Sequence, residues 1–300
     1  MMTKINTPET RGKLQFDVAV SRYNTWGVGG KAQCVFQPAD VHDLSDFLAN
    51  IDSNISLTWL GLGSNVLIRD QGIQGILIIT QPGLNKIRFD GNNVYAEAGV
   101  ACAKLARATV ARNLVGVESM AGIPGTVGGA LAMNAGAFGG ETWPKVTTVD
   151  VIDRQGRVTT RSSDDYEYGY RYVKSNADEW FVGASFALDE DALGTKVVPI
   201  KKLLAQRANT QPIGKKNCGS VFKNPDNNHA AKLIEECGLK GFAIGGAQVS
   251  TKHANFIINE NNATATDIES LIQYVQKTVK QKCNVDLEPE VKFLGQQVTK

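Results

Sequence analysis

The chain has 300 residues, with 32 lysines and arginines against 30 aspartates and glutamates, so its formal net charge is +2. This balance argues against a general polyanion-binding or polycationic membrane-binding role, because neither sign dominates. A hydrophobic content of 42% and a charged content of 21% are typical of globular proteins and exclude intrinsic disorder as the main state. Glycine is frequent, at 30 residues, so much of the backbone must turn tightly or approach another group closely.

Cysteine and histidine usage argues against disulfides and metal sites. The five cysteines are widely spaced and never form a Cys-x-x-Cys pair, so they are expected to be free thiols in a reducing compartment. The three histidines are too scattered for a metal-binding or Ser-His-Asp pattern, and no metal is expected. The N-terminus lacks the apolar stretch of a secretory signal. These features predict a cytoplasmic protein.

One uncharged stretch, residues 119–140, has the length of a membrane helix. Its many glycines and Pro124 argue against that interpretation, because a bilayer helix needs sustained apolar side chains. We therefore predict a loop of a soluble protein with no membrane partner.

The first part of the chain alternates short apolar strands with amphipathic helices, which is an α/β or α+β pattern. Helices are predicted at residues 40–50 and 100–113. Strands are predicted at residues 34–36, 57–60, 65–68, 76–79, 94–98, 146–152, 157–161 and 180–188, with a turn at 153–156.

Acidic residues and a glycine interrupt all periodicity at residues 189–199, which indicates a domain boundary. From residue 200 an apolar helical stripe is continued by Arg207. Arg207 either faces whatever this helix covers or extends off the stripe toward solvent. Both interpretations are compatible with the pattern.

Three elements are predicted from residue 230 onward. A short helix at 230–237 is closed by Gly238. The sequence from Thr266 to Glu269 is typical of a capping box that opens a longer helix. Residues 290–294 alternate as a strand.

Three loops rich in small residues lie at 24–30, 61–65 and 122–129. Successive backbone N–H groups in such loops hold anions, and glycine removes the Cβ that keeps a phosphate at a distance. Residues 29–32 lack the hydroxyl of a P-loop, and Val66 stands where a dinucleotide fingerprint needs its third glycine. Each loop alone is a simple turn, but three together favour a cofactor with a pyrophosphate.

The run from Ser220 to Lys223 matches the S-x-x-K of acyl-serine enzymes. The S-D-N and K-T-G sequences that accompany it in those enzymes are absent. Ser220 is therefore a candidate reactive residue without being an acylated one.

Six motifs occur in a fixed order: N-T-W-G-V-G-G at 24–30, G-L-G-S-N at 61–65, G-I-P-G-T-V-G-G-A-L-A-M-N-A-G-A-F-G-G at 122–140, Y-R at 170–171, C-G-S-V-F-K-N-P at 218–225 and L-E-P-E-V at 287–291. In this order and spacing the chain resembles the UDP-N-acetylenolpyruvoylglucosamine reductase family, flavoenzymes of bacterial peptidoglycan precursor synthesis. The resemblance runs from about residue 24 to residue 295.

The resemblance implies an α+β fold. It consists of a two-subdomain FAD-binding domain of the vanillyl-alcohol-oxidase (PCMH) type, followed by a smaller α/β substrate-binding domain. The implied divisions are an N-terminal extension at 1–23, FAD-binding subdomains at 24–80 and 81–195, and a substrate-binding domain at 196–300.

The resemblance also implies the site residues. The residues that match the flavin-binding positions are Gly61, Gly63, Ser64, Asn65, Gly122, Pro124, Gly125, Thr126, Gly128, Gly129 and Asn134. The catalytic positions match Arg171, Ser220 and Glu290, and the substrate positions match Tyr170, Arg207 and Asn224. The implied cofactor is non-covalent FAD, with NADPH as co-substrate.

The implied reaction is reduction of UDP-N-acetylglucosamine enolpyruvate to UDP-N-acetylmuramate. A hydride passes from NADPH to flavin N5 and then to the β-carbon of the enolpyruvyl group. Arg171 then stabilises the charge that develops toward the carboxylate, Glu290 polarises that carboxylate, and Ser220 gives a proton to the α-carbon. Lys223 or a bound water is expected to assist Ser220.

Two departures from the family pattern are visible. Gln211 stands where many relatives have a lysine before the proline, and residues 166–175 lack the long insertion of one subgroup, which indicates the shorter type. The alternatives are another flavoprotein of this fold that oxidises an alcohol or a sugar, and a non-catalytic nucleotide-sugar binding protein. The enzyme is expected to act as a monomer without nucleic acid.

Overall fold

The computed structural model describes residues 5–191 and 200–296. The chain forms two compact units, each built from separate segments. Unit 1 consists of Met1–Phe16, Cys34–Leu62 and Gly75–Ala205, and unit 2 consists of Asp17–Gln33, Gly63–Gln74 and Gln206–Lys300. The domain limits expected at residues 23, 80 and 195 are linear divisions and stay a prediction.

The described residues contain six α-helices and short 3₁₀ turns. The helices are α1 (Val41–Ala49), α2 (Cys102–Val110), α3 (Val127–Met133), α4 (Ile200–Thr210), α5 (Ala230–Glu236) and α6 (Ala265–Cys283). The 3₁₀ turns are Val20–Tyr23, Glu118–Gly122, Trp143–Lys145 and Ser163–Asp165. Within the described ranges, no helix has the length and apolar character that crossing a membrane requires.

The strands are short, and most follow the predicted apolar runs. Up to residue 141 they are β1 (Lys13–Ala19), β2 (Lys31–Gln37), β3 (Leu57–Leu60), β4 (Val66–Ile68), β5 (Ile73–Ile79), β6 (Ile87–Asp90), β7 (Asn93–Glu97), β8 (Leu114–Val115), β9 (Gly136–Ala137) and β10 (Gly140–Glu141). Beyond it they are β11 (Val146–Asp153), β12 (Val158–Ser162), β13 (Glu167–Gly169), β14 (Tyr172–Lys174), β15 (Glu179–Ala187), β16 (Asp189–Glu190), β17 (Ala243–Ile244), β18 (Ala247–Val249), β19 (Ile257–Asn259) and β20 (Lys292–Leu294).

The main sheet of unit 1 is antiparallel, with strand order β12-β11-β15-β7-β6. The other large sheet has the order β1-β2-β5-β3, and β3 and β5 pair in parallel with Leu57 opposite Ile76. Helix α1 buries Leu44, Phe47 and Leu48 in the same apolar cluster as Ile76. Burial of this helical stripe against a sheet is what the 3.6-residue periodicity of α1 predicts.

Asp43 in α1 is a buried carboxylate with four hydrogen bonds. Its Oδ1 accepts from Thr10 Oγ1 and from the N–H of Arg11, both at 2.8 Å. Its Oδ2 accepts from the N–H groups of Gly12 at 3.0 Å and Ala39 at 2.9 Å. Burial alone raises the pKa of Asp43, but these hydrogen bonds outweigh it and hold the pKa below its usual range.

We predict that Asp43→Asn lowers the free energy of unfolding by about 1–3 kcal/mol, because the new amide N–H₂ faces backbone donors that the carboxylate accepted. The carboxylate pKa is depressed in the folded state, so the advantage of the wild type is full above the ordinary carboxyl pKa of about 4. It disappears as the pH falls through the lower folded-state pKa. Urea unfolding of both proteins between neutral and acidic pH measures this, and a pH-independent difference would contradict it.

Unit 2 packs around one face of α6. Ile268, Leu271, Ile272, Val275 and Val279 are buried along this helix, as the sequence pattern predicts. They share an apolar cluster with residues that lie far away in the chain, including Trp26, Val28 and Leu67. Strand β4 pairs in parallel with β20, and β18 lies between β17 and β19.

Trp26 ties the N-terminal segment of unit 2 to β19. Its indole Nε1 donates to the carbonyl of Ile257 at 2.8 Å, although the two residues are 231 positions apart. Asn259 Nδ2 donates to the carbonyl of Trp26 at 2.9 Å. The indole is fully buried, so both its apolar surface and its N–H are used.

We predict that Trp26→Phe lowers the free energy of unfolding by about 1–3 kcal/mol, because the Ile257 carbonyl loses its indole donor. Trp59→Phe is the matched control. Trp59 stacks on Trp180, and its buried Nε1 has no hydrogen-bond partner within residues 5–191 and 200–296. Urea denaturation should show the smaller loss for the Trp59 variant; equal losses would mean that the Trp26 hydrogen bond contributes nothing.

Two sequence-based expectations are wrong in detail. The capping box of α6 joins Thr264 and Asp267, so the helix begins two residues before the predicted Thr266–Glu269 box. Asp70 also accepts from the N–H groups of Ala265 and Thr266 at this helix end. This carboxylate favours the earlier start because it satisfies N–H groups that a helix leaves unpaired in its first turn.

The stretch at 119–140, expected to be a loop, contains the helix α3 (Val127–Met133). Thr126 begins it, and its Oγ1 accepts from the N–H of Gly129 at 3.3 Å. This cap compensates for the low helix propensity of the two glycines that follow Val127. In the expected boundary at 189–199, Asp189–Glu190 form β16, and residues 192–199 lie outside the described residues.

Candidate active site

In unit 1, the loop after β3 lies against the start of α3. A Cβ added to Gly61 would collide with the side chain of Thr126, and one added to Gly128 would lie 2.8 Å from the Cβ of Ala98. Glycine at these two positions therefore allows close packing within the protein. The predicted flavin-binding residues Gly61, Thr126 and Gly128 are brought together by this packing.

Gly129 differs from its neighbours because its surroundings are open. It is exposed, and the nearest atom to an added Cβ would be Thr126 Oγ1 at an ordinary 3.6 Å. A side chain would thus fit the protein here but would cover the backbone at the start of α3. This bare, accessible backbone fits a cofactor phosphate.

The predicted flavin-binding residue Asn134 has a structural role at the other end of α3. It is fully buried and ends the helix with a left-handed φ of 46°. Its Nδ2 donates to Glu141 Oε2 at 3.0 Å and to the carbonyl of Gly169 at 2.9 Å, while its Oδ1 accepts from the N–H of Trp143 at 3.2 Å. Asn134 therefore joins α3 to the hairpin that carries Arg171.

Arg171 and Tyr170 form the turn of the hairpin β13–β14, in which Gly169 lies opposite Tyr172. Arg171 has a φ of 53°, a conformation that costs a residue with a Cβ roughly 1–3 kcal/mol. Its guanidinium donates to the carbonyl of Gly136 at 3.0 Å and to that of Asn134 at 3.4 Å, and it lies 5.1 Å from the Tyr170 ring centroid. The left-handed backbone and these contacts fix the direction of the Arg171 guanidinium.

In unit 2, Asn65 connects a predicted flavin loop to the predicted catalytic glutamate. Its Nδ2 donates to the carbonyl of Glu290 at 3.2 Å. Its own carbonyl accepts from the N–H of Lys292 at 3.0 Å, directly before β4 and β20 pair. The parallel pairing of these strands therefore fixes where Glu290 lies relative to Asn65.

Ser220 and Glu290 lie on paired segments of unit 2. The N–H of Glu290 donates to the carbonyl of Val221 at 2.8 Å, and the N–H of Lys223 donates to the carbonyl of Glu288 at 2.9 Å. Ser220 directly precedes Val221 and follows Gly219, whose φ is 82°. Two of the three predicted catalytic residues, Ser220 and Glu290, thus lie on backbone segments that are hydrogen-bonded to each other.

Cys218 is a buried thiol two residues before Ser220. Burial raises the pKa of Cys218 well above its usual range, and the negative charge of Glu290 raises it further. The protonated thiol is unreactive as a nucleophile in this state.

Lys223, Arg207 and Asn224 have defined protein contacts. Lys223 Nζ lies 2.6 Å from Glu288 Oε1 and forms an ion pair with it. That Lys223 assists Ser220 stays a prediction. Burial lowers the pKa of Arg207, whose Nε donates to Gln211 Oε1 at 2.7 Å. Asn224 Oδ1 accepts from the N–H of Ala230 and so caps α5.

The predicted site residues thus form one group in each unit. Arg171, Asn134 and the start of α3 belong to unit 1, whereas Asn65, Ser220 and Glu290 belong to unit 2. Asn255, whose side chain bonds the backbone of Phe222 two residues after Ser220, was not among the predicted residues. A polar residue between the apolar residues Ala254 and Phe256 was the available signal.

A family model described as an FAD binding domain matches residues 32–162. This range contains α1, α2 and α3 and the glycines at 61, 128 and 129. The match defines the class of the protein as FAD-binding, and the predicted α+β fold with an FAD-binding domain is confirmed.

A second model, described as UDP-N-acetylenolpyruvoylglucosamine reductase, C-terminal domain, matches residues 211–294. A reductase of that name from Methylococcus capsulatus is 52% identical over 288 residues, which cover 96% of this chain and 95% of the relative. Another from Alkalilimnicola ehrlichii is 49% identical over 285 residues, covering 95% and 96%. The crystal structure of the Thermus caldophilus reductase has a TM-score of 0.78 at 28% identity, covering 96% of this chain and all of that one.

The chain belongs to the UDP-N-acetylenolpyruvoylglucosamine reductase family, and it is an FAD-dependent oxidoreductase. The resemblance seen in the sequence is therefore confirmed over nearly the whole chain.

We predict that Gly129→Ala weakens FAD binding by about tenfold or more without lowering the stability of the FAD-free protein. The methyl group fits the protein, so only an approaching cofactor phosphate meets it. Flavin titration and thermal unfolding of the apoprotein measure the two effects. Gly128→Ala is the comparison, because its Cβ meets Ala98 and should destabilise the apoprotein itself. Unchanged FAD affinity in the Gly129 variant would remove this residue from the flavin site.

Proposed function

We propose that this protein catalyses the NADPH-dependent reduction of UDP-N-acetylglucosamine enolpyruvate to UDP-N-acetylmuramate in peptidoglycan precursor synthesis. Similarity to reductases of that name over nearly the full chain supports the substrate. The observation that carries the proposal is the backbone pairing of the Ser220 and Glu290 segments through the Val221 carbonyl. This pairing fixes the two backbone segments that carry the Ser220 hydroxyl and the Glu290 carboxyl group.

Bound FAD supplies hydride transfer between NADPH and the enolpyruvyl β-carbon. The residues proposed to hold it are Gly61, Gly63, Ser64, Asn65, Gly122, Pro124, Gly125, Thr126, Gly128, Gly129 and Asn134. Thr126 supports this role indirectly, because its hydroxyl caps α3 and fixes the backbone at Gly129. Asn134 acts mainly through its protein contacts, which hold the far end of the helix.

Arg171 is proposed to bind the carboxylate of the enolpyruvyl group. A guanidinium presents planar paired donors that match a carboxylate, and it keeps its charge at any physiological pH. Its contacts to the carbonyls of Asn134 and Gly136 fix the direction of the group before substrate binds. Such preorganised charge stabilises a developing negative charge without rearrangement during the reaction. Tyr170, Arg207 and Asn224 are proposed to contact other parts of the substrate.

Ser220 and Glu290 are proposed to complete the addition across the double bond. Addition of a hydride to the β-carbon requires a proton at the α-carbon, and the Ser220 hydroxyl is the proposed donor. Glu290 is proposed to polarise the substrate carboxylate, which concentrates negative charge there rather than on the carbon. We further propose that the enzyme works in the cytoplasm as a monomer.

We predict that Ser220→Ala blocks the second half-reaction and spares the first. Mixed anaerobically with NADPH, the flavin of the variant should lose its visible absorption at the wild-type rate. Addition of the enolpyruvyl sugar should then restore the absorption at least about a hundredfold more slowly than in wild type, because the α-carbon proton donor is missing.

Ser270→Ala, on α6 of the same unit, is the matched serine control and should show both wild-type rates. Recovery of the Ser220 variant at the wild-type rate would remove this serine from the mechanism. A wild-type protein that is bleached by NADPH but not restored by the enolpyruvyl sugar would overturn the substrate assignment and favour an alcohol- or sugar-oxidising flavoprotein. A protein that binds the sugar yet consumes no NADPH would be a binding module.

A further inference from the structure

We infer that Asn255 is a positioning residue for the reaction: it holds the Val221–Phe222 backbone so that Ser220 and Glu290 keep their relative placement. This inference rests on the proposed function. Asn255 belongs to none of the motifs that carry the family resemblance. Its role follows from the contacts of one buried side chain within unit 2.

Asn255 makes three hydrogen bonds to two consecutive residues. Its side-chain Oδ1 accepts from the N–H of Phe222 at 2.9 Å, and its Nδ2 donates to the carbonyl of Phe222 at 2.8 Å. Its backbone carbonyl accepts from the N–H of Val221 at 2.9 Å. The amide group thus takes the place that a neighbouring strand would have beside Phe222.

The opposite edge of the same segment explains why a side chain is needed there. The N–H of Glu290 bonds to Val221 and the N–H of Lys223 bonds to Glu288, so Phe222 lies opposite Pro289 between these two hydrogen bonds. In an antiparallel ladder, a residue at such a position directs its own N–H and C=O away from its partner strand. Asn255 receives both groups.

We call the Asn255 side chain, with its two hydrogen bonds to the Phe222 backbone, the clamp. Because the clamp is buried, it requires an asparagine. Asn255 is 4% exposed, and Val221 and Phe222 are 0% and 2% exposed. A buried N–H or C=O without a partner is costly, so the Phe222 backbone depends on a side chain that both donates and accepts. Alanine supplies neither group, and serine supplies a single oxygen.

The clamp controls the two candidate catalytic residues because both adjoin it. Ser220 precedes Val221, and Glu290 donates its N–H to the Val221 carbonyl. A shift of about 1 Å at a reacting group can slow a reaction on the order of a hundredfold. Loss of the clamp should therefore slow the step that uses these residues while leaving the reduction by NADPH intact.

The first test measures the backbone directly and needs no substrate. In Asn255→Ala, amide hydrogen exchange of residues 219–224 and 287–291 should become at least about tenfold faster relative to the amides of α6 in the same protein. Leu271→Ala is the control for general destabilisation, because Leu271 is buried in the core of unit 2. It should lower the melting temperature without this local acceleration.

The second test separates the two half-reactions in the holoenzyme. In Asn255→Ala, bleaching of the flavin by NADPH should stay within about twofold of wild type, while recovery on adding the enolpyruvyl sugar should slow about ten- to a hundredfold. The steady-state kcat should fall with KM for the sugar within about threefold. Leu271→Ala should leave both rates unchanged, and Asn255→Ser, which keeps one hydrogen-bonding atom, should lie between wild type and alanine.

The outcomes separate this inference from the proposed function. Unchanged local exchange in both Asn255 variants overturns the clamp, whatever the activity. Faster local exchange with unchanged recovery overturns the positioning role. Equal loss of both half-reactions, or the same loss in Leu271→Ala, shows a general structural effect and also overturns it. Failure of the wild type to recover with the enolpyruvyl sugar counts against the proposed function instead, and the exchange result then decides the clamp alone.

Discussion

The arrangement in unit 2 depends on how the backbone of Val221 and Phe222 is bonded on both of its edges. One edge pairs with the segment that contains Glu290, and the other meets Asn255. Registers between paired backbones change only in discrete steps. The backbones of Ser220 and Glu290 are consequently held in register by main-chain hydrogen bonds.

In unit 1, the short helix α3 holds the backbone of the proposed site residues. Its first turn presents the bare backbone of Gly129, and its last residue leads to Asn134, which bonds Gly169 in the Arg171 hairpin. The backbone proposed to face the cofactor and the hairpin of the proposed catalytic Arg171 are therefore held by the two ends of one element. The left-handed φ values of Asn134 and Arg171 show that conformational strain is tolerated here because the surrounding hydrogen bonds determine the backbone.

Periodicity in the sequence was sufficient for the regular elements and insufficient for the site. The strands β11 and β15 and the apolar face of α6 carry clear patterns, and the structure contains them. The start of α6 was misplaced because T-A-T-D-I-E offers two overlapping Thr-to-acid spacings, and only contact with Asp70 selects between them. The helix α3 was missed because glycine has low propensity and the Thr126 cap is a single contact. Asn255 was not recognised because its partners lie 33 positions away.

The pairing of Trp26 with Ile257 also bears on how the polypeptide emerges from the ribosome. At roughly 5–20 residues per second, the 231 positions between them take on the order of 12–46 s to synthesise. During that interval the Trp26 indole has been synthesised and the Ile257 carbonyl has not. The contact between Trp26 and β19 can therefore form only after residue 257 has been synthesised, and until then the apolar indole is exposed to aggregation with other chains.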